Sequence, residues 1–143
     1  MGFLAENYCK VEGLNVNSSC DSSTPANGFV KGDPIKKTDY KTGRETTAVT
    51  DLIHGICIGS LVYPYTKKTL EVATKGQVEV TAAAAVSINA WVGLDGTNKR
   101  KFTPLTLDAA GTTIRQAFQA KSAASADGDK FIIDLDSMVM VTI

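Results

Sequence analysis

From Gly28 to Ile143 the chain is punctuated at short intervals, with runs rich in Val, Ile, Thr and aromatic residues alternating with clusters of Gly, Asp, Asn and Pro. The breaks recur roughly every 8–12 residues, the spacing expected of strands in an all-β sandwich or small barrel. Strand lengths alone do not decide between those two architectures. Gly28–Lys36 carries a Gly-Asp-Pro break, and Ala48–Ile58 reads as a strand pair or a bent strand around Gly55. Leu70–Ala73 follows a turn containing Pro64 and the Lys67-Lys68 pair. In Gln77–Thr81 the pattern alternates cleanly, with Val78 and Val80 on one face. Ile88–Leu94 holds the only tryptophan, Trp91, and runs into Asp95-Gly96, a strong hairpin signal. Lys99–Thr103 is then the returning strand, with Phe102 facing in, so Trp91 and Phe102 are the expected core anchors. Asp127-Gly128-Asp129 is a further turn, leading into Phe131–Leu135 and Met138–Ile143.

Thr112–Ser125 fits two periods. Ile114 and Phe118 are four apart, as on a helix, while Ile114, Gln116 and Phe118 also share one face of a strand. Its place between β turns favours strand. The fold expected is therefore mainly β, a small β-barrel or β-sandwich with at most one short helix and a flexible N-terminal arm.

That arm is residues 1–27, set against a single β-rich domain over residues 28–143. Asn15–Asn27 is rich in Ser, Asn and Asp and lacks either period, so it cannot bury enough apolar surface to offset its ordering entropy. Before it, Phe3, Leu4, Tyr8, Val11 and Leu14 give the tip apolar character, as in a docking arm or a frayed terminus.

A chain of 143 residues is one ordinary domain. Its 15 basic residues balance its 15 acidic ones, so no net field draws it to nucleic acid or to an acidic membrane. No apolar stretch approaches the ~20 residues of a membrane helix. Glu6 and Lys10 interrupt what would have to be a signal core, so a soluble protein made in the cytoplasm is expected. Three cysteines, Cys9, Cys20 and Cys57, do not make a disulfide framework, although Cys9 and Cys20 could pair in an oxidising setting.

A search for chemistry finds little. His54 and Cys57 form His-x-x-Cys, but zinc wants four ligands with a close second pair, and on a strand these two point to opposite faces. The bland reading of Cys57 is a small buried residue. Asp127, Asp129, Asp134 and Asp136 suggest calcium, yet the ligand spacing of a calcium loop is missing and a β-turn explains Asp-Gly-Asp. No phosphate loop and no nucleophile elbow are present. Lys99-Arg100-Lys101 reads as a solvated hairpin tip. Lys36-Lys37 and Lys67-Lys68 read as edge-strand gatekeepers, or as contacts to an acidic protein surface. No catalytic residue, metal ligand or cofactor site is assigned, and no enzyme activity is expected.

The order GQVEVTAAAAVSINAWVGLDGTNKRKF, then LDAAGTTIRQAFQAKSAASADGDKFIIDL, resembles the small head-decoration (cement) proteins encoded beside the major capsid genes of tailed bacteriophages. The matching pieces are Val78–Val92, the Asp95–Lys101 hairpin, Ala120–Ala126, Gly128-Asp129 and Ile132–Leu135, and DLIHGICIGS is similar to a further strand of that family. The chain departs from the family in having Asn89-Ala90 where Gly-Asp is common before the central strand. The resemblance implies a structural protein on the capsid exterior of a virion. Such a protein forms a homotrimer, with the major capsid protein as its partner and with no nucleic acid, membrane or small-molecule substrate. It also implies that the arm orders on the shell, with Phe3, Leu4 and Tyr8 as capsid contacts. Two rivals stand beside it: another virion structural protein, and a β-rich carrier or ligand-binding module of lipoyl type using Lys99.

Overall fold

The computed structural model describes residues 6–16, 28–59, 61–62 and 69–143. Among the described residues there is no helix; eleven strands form β1 (Asn7–Val16), β2 (Gly28–Phe29), β3 (Pro34–Asp39), β4 (Thr42–Glu45), β5 (Gly55–Cys57), β6 (Leu61–Val62), β7 (Thr69–Thr81), β8 (Trp91–Leu94), β9 (Phe102–Pro104), β10 (Ile114–Ala120) and β11 (Lys130–Thr142). The mainly-β expectation holds, and the choice between barrel and sandwich is settled as a barrel.

Five strands close a ring in the order β1-β4-β3-β5-β7, with β7 returning to β1. An odd ring cannot alternate strand direction all the way round, so one neighbouring pair must run parallel. That pair is β1–β4, through Asn15↔Thr42 and Val16↔Gly43, and the other four contacts are antiparallel. Closure removes the exposed edges that make open sheets sticky. Inside the ring lie Leu14, Phe29, Ile35, Cys57, Leu70 and Val72.

The long strand β7 continues past the ring. Gln77 pairs with Asn7 on one edge and Asp134 on the other, and from there β11, β10, β8 and β9 extend the sheet. A bridge from Ala82 to Phe102, with Ala83 N donating to Phe102 O at 2.8 Å, brings β9 back to the end of β7. The extension therefore curls around a second core that includes Val78, Val80, Val92, Phe102, Phe118, Phe131 and Ile133. Ile56 and Cys57, adjacent on β5, point into different cores, as do Val72 and Ala73 on β7. These two strands form the wall between the cores. Where β7 leaves the ring, Gly76 takes φ 92° opposite register shifts in β1, the geometry of a bulge that lets a strand bend.

Local expectations fare differently along the chain. Thr112–Ser125 contains a strand, β10, and Phe102 is fully buried in the second core. Trp91 is only half-buried and belongs to neither core: it precedes the core residue Val92 on β8, and neighbouring side chains of a strand point to opposite faces. Leu70–Ala73 and Gln77–Thr81 are parts of one strand, β7. In Ala48–Ile58 only Gly55–Cys57 is strand, since Asp51 Oδ2 accepts from the backbone N of Thr47 and Ala48 and folds that stretch into a turn. Gly55 is needed where it stands, because an added Cβ would sit 2.5 Å from the backbone oxygen of Ala73 on β7. The boundary drawn at residue 27 is crossed by the structure: Asn7–Val16 is a strand of the ring, held by β7 on one edge and β4 on the other. Leu14 explains the difference, since it is a core residue and not part of a sticky tip. The remainder of the expected arm, residues 1–5 and 17–27, lies outside the described residues.

Candidate functional site

A cleft of about 830 Å³ opens where five parts of the chain converge. The turn before β3 supplies Asp33, the end of β4 and the residues after it supply Arg44 to Thr47, and the loop from β8 to β9 supplies Thr97 to Lys101. Thr81 at the end of β7 and Lys130 at the start of β11 close the remaining side. The β8–β9 loop is braced from within. Asp95 Oδ2 accepts from the backbone N of Thr97 (3.0 Å) and Asn98 (2.9 Å), and Asn98 Oδ1 accepts from Arg100 N (3.0 Å). Such Asx bonds let Asp and Asn replace ladder bonds in a tight turn. Thr46 then ties the loop to the ring, its hydroxyl donating to Lys99 O at 2.5 Å.

The cleft floor is a row of alternating charges. Arg100 is 8% exposed and donates to Asp33 Oδ2 at 3.0 Å and to Glu45 Oε2 at 3.4 Å. Glu45, itself buried, also accepts from Arg44 Nε (2.9 Å) and Nη2 (2.6 Å). The Arg100 guanidinium lies 5.4 Å from the centre of the Phe29 ring, so a ring-core side chain also carries a cation on its face. Burial pushes the Asp33 carboxyl above its ordinary range, against the opposing pull of the Val30 N–H and of Arg100. An arrangement of this kind gives no net stability over an apolar floor, but it cannot lose one member cheaply.

The rim differs from the floor. Lys99, Lys101 and Lys130 stand around the opening. Lys130 Nζ donates to Thr81 Oγ1 at 2.5 Å, and Lys101 Nζ pairs with the exposed Asp127 at 2.7 Å. Lys99 is half-buried and makes no ion pair among the described residues. The basic run at the hairpin is thus divided: its central residue, Arg100, is a buried structural cation, and only its flanking lysines face solvent. A solvated tip was the expectation for all three. Distance in sequence hid the partners, since Asp33 and Glu45 lie 67 and 55 residues from Arg100. The one local signal was Gly32-Asp33-Pro34, where Gly32 takes φ 100° and aims the acid inward.

The other candidate residues do not converge. His54 pairs with Glu12 of β1, and Lys37 lies 3.4 Å from the same carboxylate. That hydrogen bond from His54 holds the Glu12 carboxyl below its usual range, with help from Lys37. Cys57 lies inside the ring, its thiol donating to Gly59 O at 2.8 Å, and burial pushes it up to about 11, so it stays a thiol near neutral pH. Among the described residues no group of three or more His, Cys, Asp and Glu could hold a metal ion. Asp129 Oδ2 accepts from the backbone N of Ser125 and Ala126, which makes Asp127-Gly128-Asp129 a turn, with Gly128 at φ 91°. Lys36 and Lys37 do not guard an edge, because β3 is paired on both sides; Lys36 instead binds Asp51 at 2.9 Å. Phe3 and Leu4, like Lys67 and Lys68, lie outside the described residues. Tyr8 is on β1 opposite Gly76, and its side chain is also outside them.

A feature that the sequence reading passed over is the far end of β11. Lys130–Asp134 pairs with β7, and its Ile133 and Asp134 pair with β10 as well. Val139–Thr142 pairs with β10 and, among the described residues, with no second strand, Thr142 O accepting from Asp108 N at 3.0 Å. The change of partner follows a bulge in which Ser137 Oγ accepts from Gln119 N at 2.8 Å and donates to Asp134 O at 2.6 Å. Beyond it, Met138, Val139 and Met140 are exposed, and so is Ile114 on β10. Leu107, next to an Asp108 that binds Thr142, is exposed beside them. By contrast the opposite end of the sheet, β9, is blunted by Pro104.

No protein-family model matches this sequence, and no curated protein matches it.

Proposed function

We propose that this chain is a structural protein that works by docking on a protein lattice, and specifically that it is a decoration protein of a tailed-phage head. The observation that carries the reading is the apolar β10–β11 ribbon. It offers exposed Met138, Val139, Met140 and Ile114 beside a strand edge with no neighbouring strand among the described residues. Apolar side chains of this kind next to an open edge mark a surface that another protein covers, by strand addition or face packing. Closed β-rings suit the task, because they are stiff and need no ligand to hold their shape. On this reading the protein acts as an oligomer, a trimer by the family resemblance, on the outside of the virion. Its partner is the major capsid protein. A bridge that binds only the expanded lattice stabilises it by mass action, and many copies per shell add up. Co-sedimentation with expanded and unexpanded heads tests this. Saturable binding to expanded heads is expected, and binding to neither form overturns it.

The cleft favours a second reading, a β-rich ligand-binding module. Its volume, about 830 Å³, is within the range of small-molecule sites, and its rim is rich in donors. A swinging carrier arm is less well served, since Lys99 is half-buried and its carbonyl is held by Thr46. Isothermal titration against a library of small anions tests the binding reading; heat of binding from none of them ends it.

A further inference from the structure

We propose that the cleft is the seat of an acidic segment of the protein partner, its carboxylates meeting Lys99, Lys101 and Lys130 at the rim. The inference rests on the docking reading above and names the chemistry of one of its contacts.

The argument begins with charge. On the floor, Arg44 and Arg100 are matched by Glu45 and Asp33 in direct ion pairs, so the floor attracts no further anion strongly. At the rim the balance is positive. Three lysines come from two elements; among the described residues the one direct ion pair they make is Lys101 with Asp127, which is 66% exposed. Lys130 also acts at longer range on the Asp33 carboxyl of the floor. Lys130 is satisfied by a neutral hydroxyl, and Lys99 has no counter-charge among the described residues. The chain as a whole is neutral, so this concentration of cations around one opening is local.

Shape and chemistry narrow the occupant. Lysine ammoniums are point charges on flexible stems, which suit carboxylates arriving from several directions better than a planar bidentate fork does. Thr97 and Asn98 border the same opening and add neutral polar groups that can meet a peptide backbone. An extended acidic segment can span the rim with its side chains on the lysines, while the braced loop and the buried charges keep the opening in shape. Pre-organisation of that kind lowers the ordering cost of binding. Partly exposed charges of one sign also steer the encounter, more so at low salt.

A fluorescein-labelled Glu/Asp-rich octapeptide, titrated into the full-length protein by fluorescence anisotropy, provides the test. Saturable binding that weakens as salt rises is expected, with each of Lys99→Glu and Lys130→Glu weakening it on the order of tenfold. Lys75→Glu on the exposed face of β7 makes the same change of charge away from the cleft and should leave binding within about twofold. Lys99→Gln repeats the test without a reversed charge, and near-UV circular dichroism checks that each variant keeps its fold. Equal loss with Lys75→Glu, equal displacement of the peptide by inorganic phosphate or by single-stranded DNA, or no binding at all overturns the proposal. Failure here with intact binding to expanded heads removes the cleft contact and leaves the docking function. Peptide binding without head binding would remove the function and leave the cleft.

Discussion

Arg100 shows how a single residue's role depends on what surrounds it. In the chain it belongs to a basic triplet, and in the fold it is a buried cation that bridges two buried carboxylates. Replacing it with Met would leave the buried Asp33 carboxyl without its guanidinium partner, while Glu45 keeps Arg44, a loss of about 3–5 kcal/mol. Urea unfolding near neutral pH should show that loss. It should shrink in acid, because Asp33 has a raised carboxyl: a group of this sign favours the folded state below its unfolded value, about 3.9, and loses that contribution as pH rises through its folded value. Glu12 behaves oppositely. Its depressed carboxyl contributes stability above about 4.3 that disappears as pH falls through the folded value. Glu12→Gln should therefore cost less than about 1 kcal/mol near neutral pH, the scale of a solvent-screened pair, and the difference from wild type should vanish in acid. A difference that grew in acid would contradict the assignment to His54 and Lys37.

At the scale of elements, β11 joins two regimes in one strand. Its first half is buried between β7 and β10, and its second half is a ribbon edge. Substitutions in the two halves should separate stability from binding. Met138→Lys with Met140→Lys places charges where solvent already reaches, so unfolding should move by less than about 0.5 kcal/mol. Binding to expanded heads should fall sharply in the same variant. Unchanged head binding would exclude the ribbon as the docking face. Truncating Ile133 in the first half to Ala should instead cost about 2–5 kcal/mol, because it is fully buried in the second core.

For the whole molecule, the shared wall of β5 and β7 decides whether two cores behave as one domain. Adjacent residues of each strand serve different cores, so neither core can be lost without exposing the back of the other. One cooperative unfolding transition is expected, followed equally by Trp91 fluorescence, which reports on β8 of the extension, and by far-ultraviolet circular dichroism. Ile35→Ala in the ring and Ile133→Ala in the extension should both shift that one transition. Two separated transitions would show that the ring and the extension are independent units.

Sequence by itself determined the strand-and-turn character of this protein, because alternation, β-branched runs and Gly/Asp/Asn turns are local properties. Phe102 as a core residue, β10 as a strand and Asp127-Gly128-Asp129 as a turn all follow from neighbours a few positions away. Tertiary structure alone decided what depends on distant pairing. The parallel seam between β1 and β4 closed the ring and drew Asn7–Val16 out of the expected arm. The candidate site was hidden for the same reason, since its floor joins Asp33, Glu45 and Arg100 across wide gaps in the chain. Exposure of Met138–Met140 was equally unreadable, because those apolar residues look like core until the strand beside them ends. Local pattern sets which backbone shape each segment prefers, whereas long-range strand order sets which side chains meet, and function depends on the second.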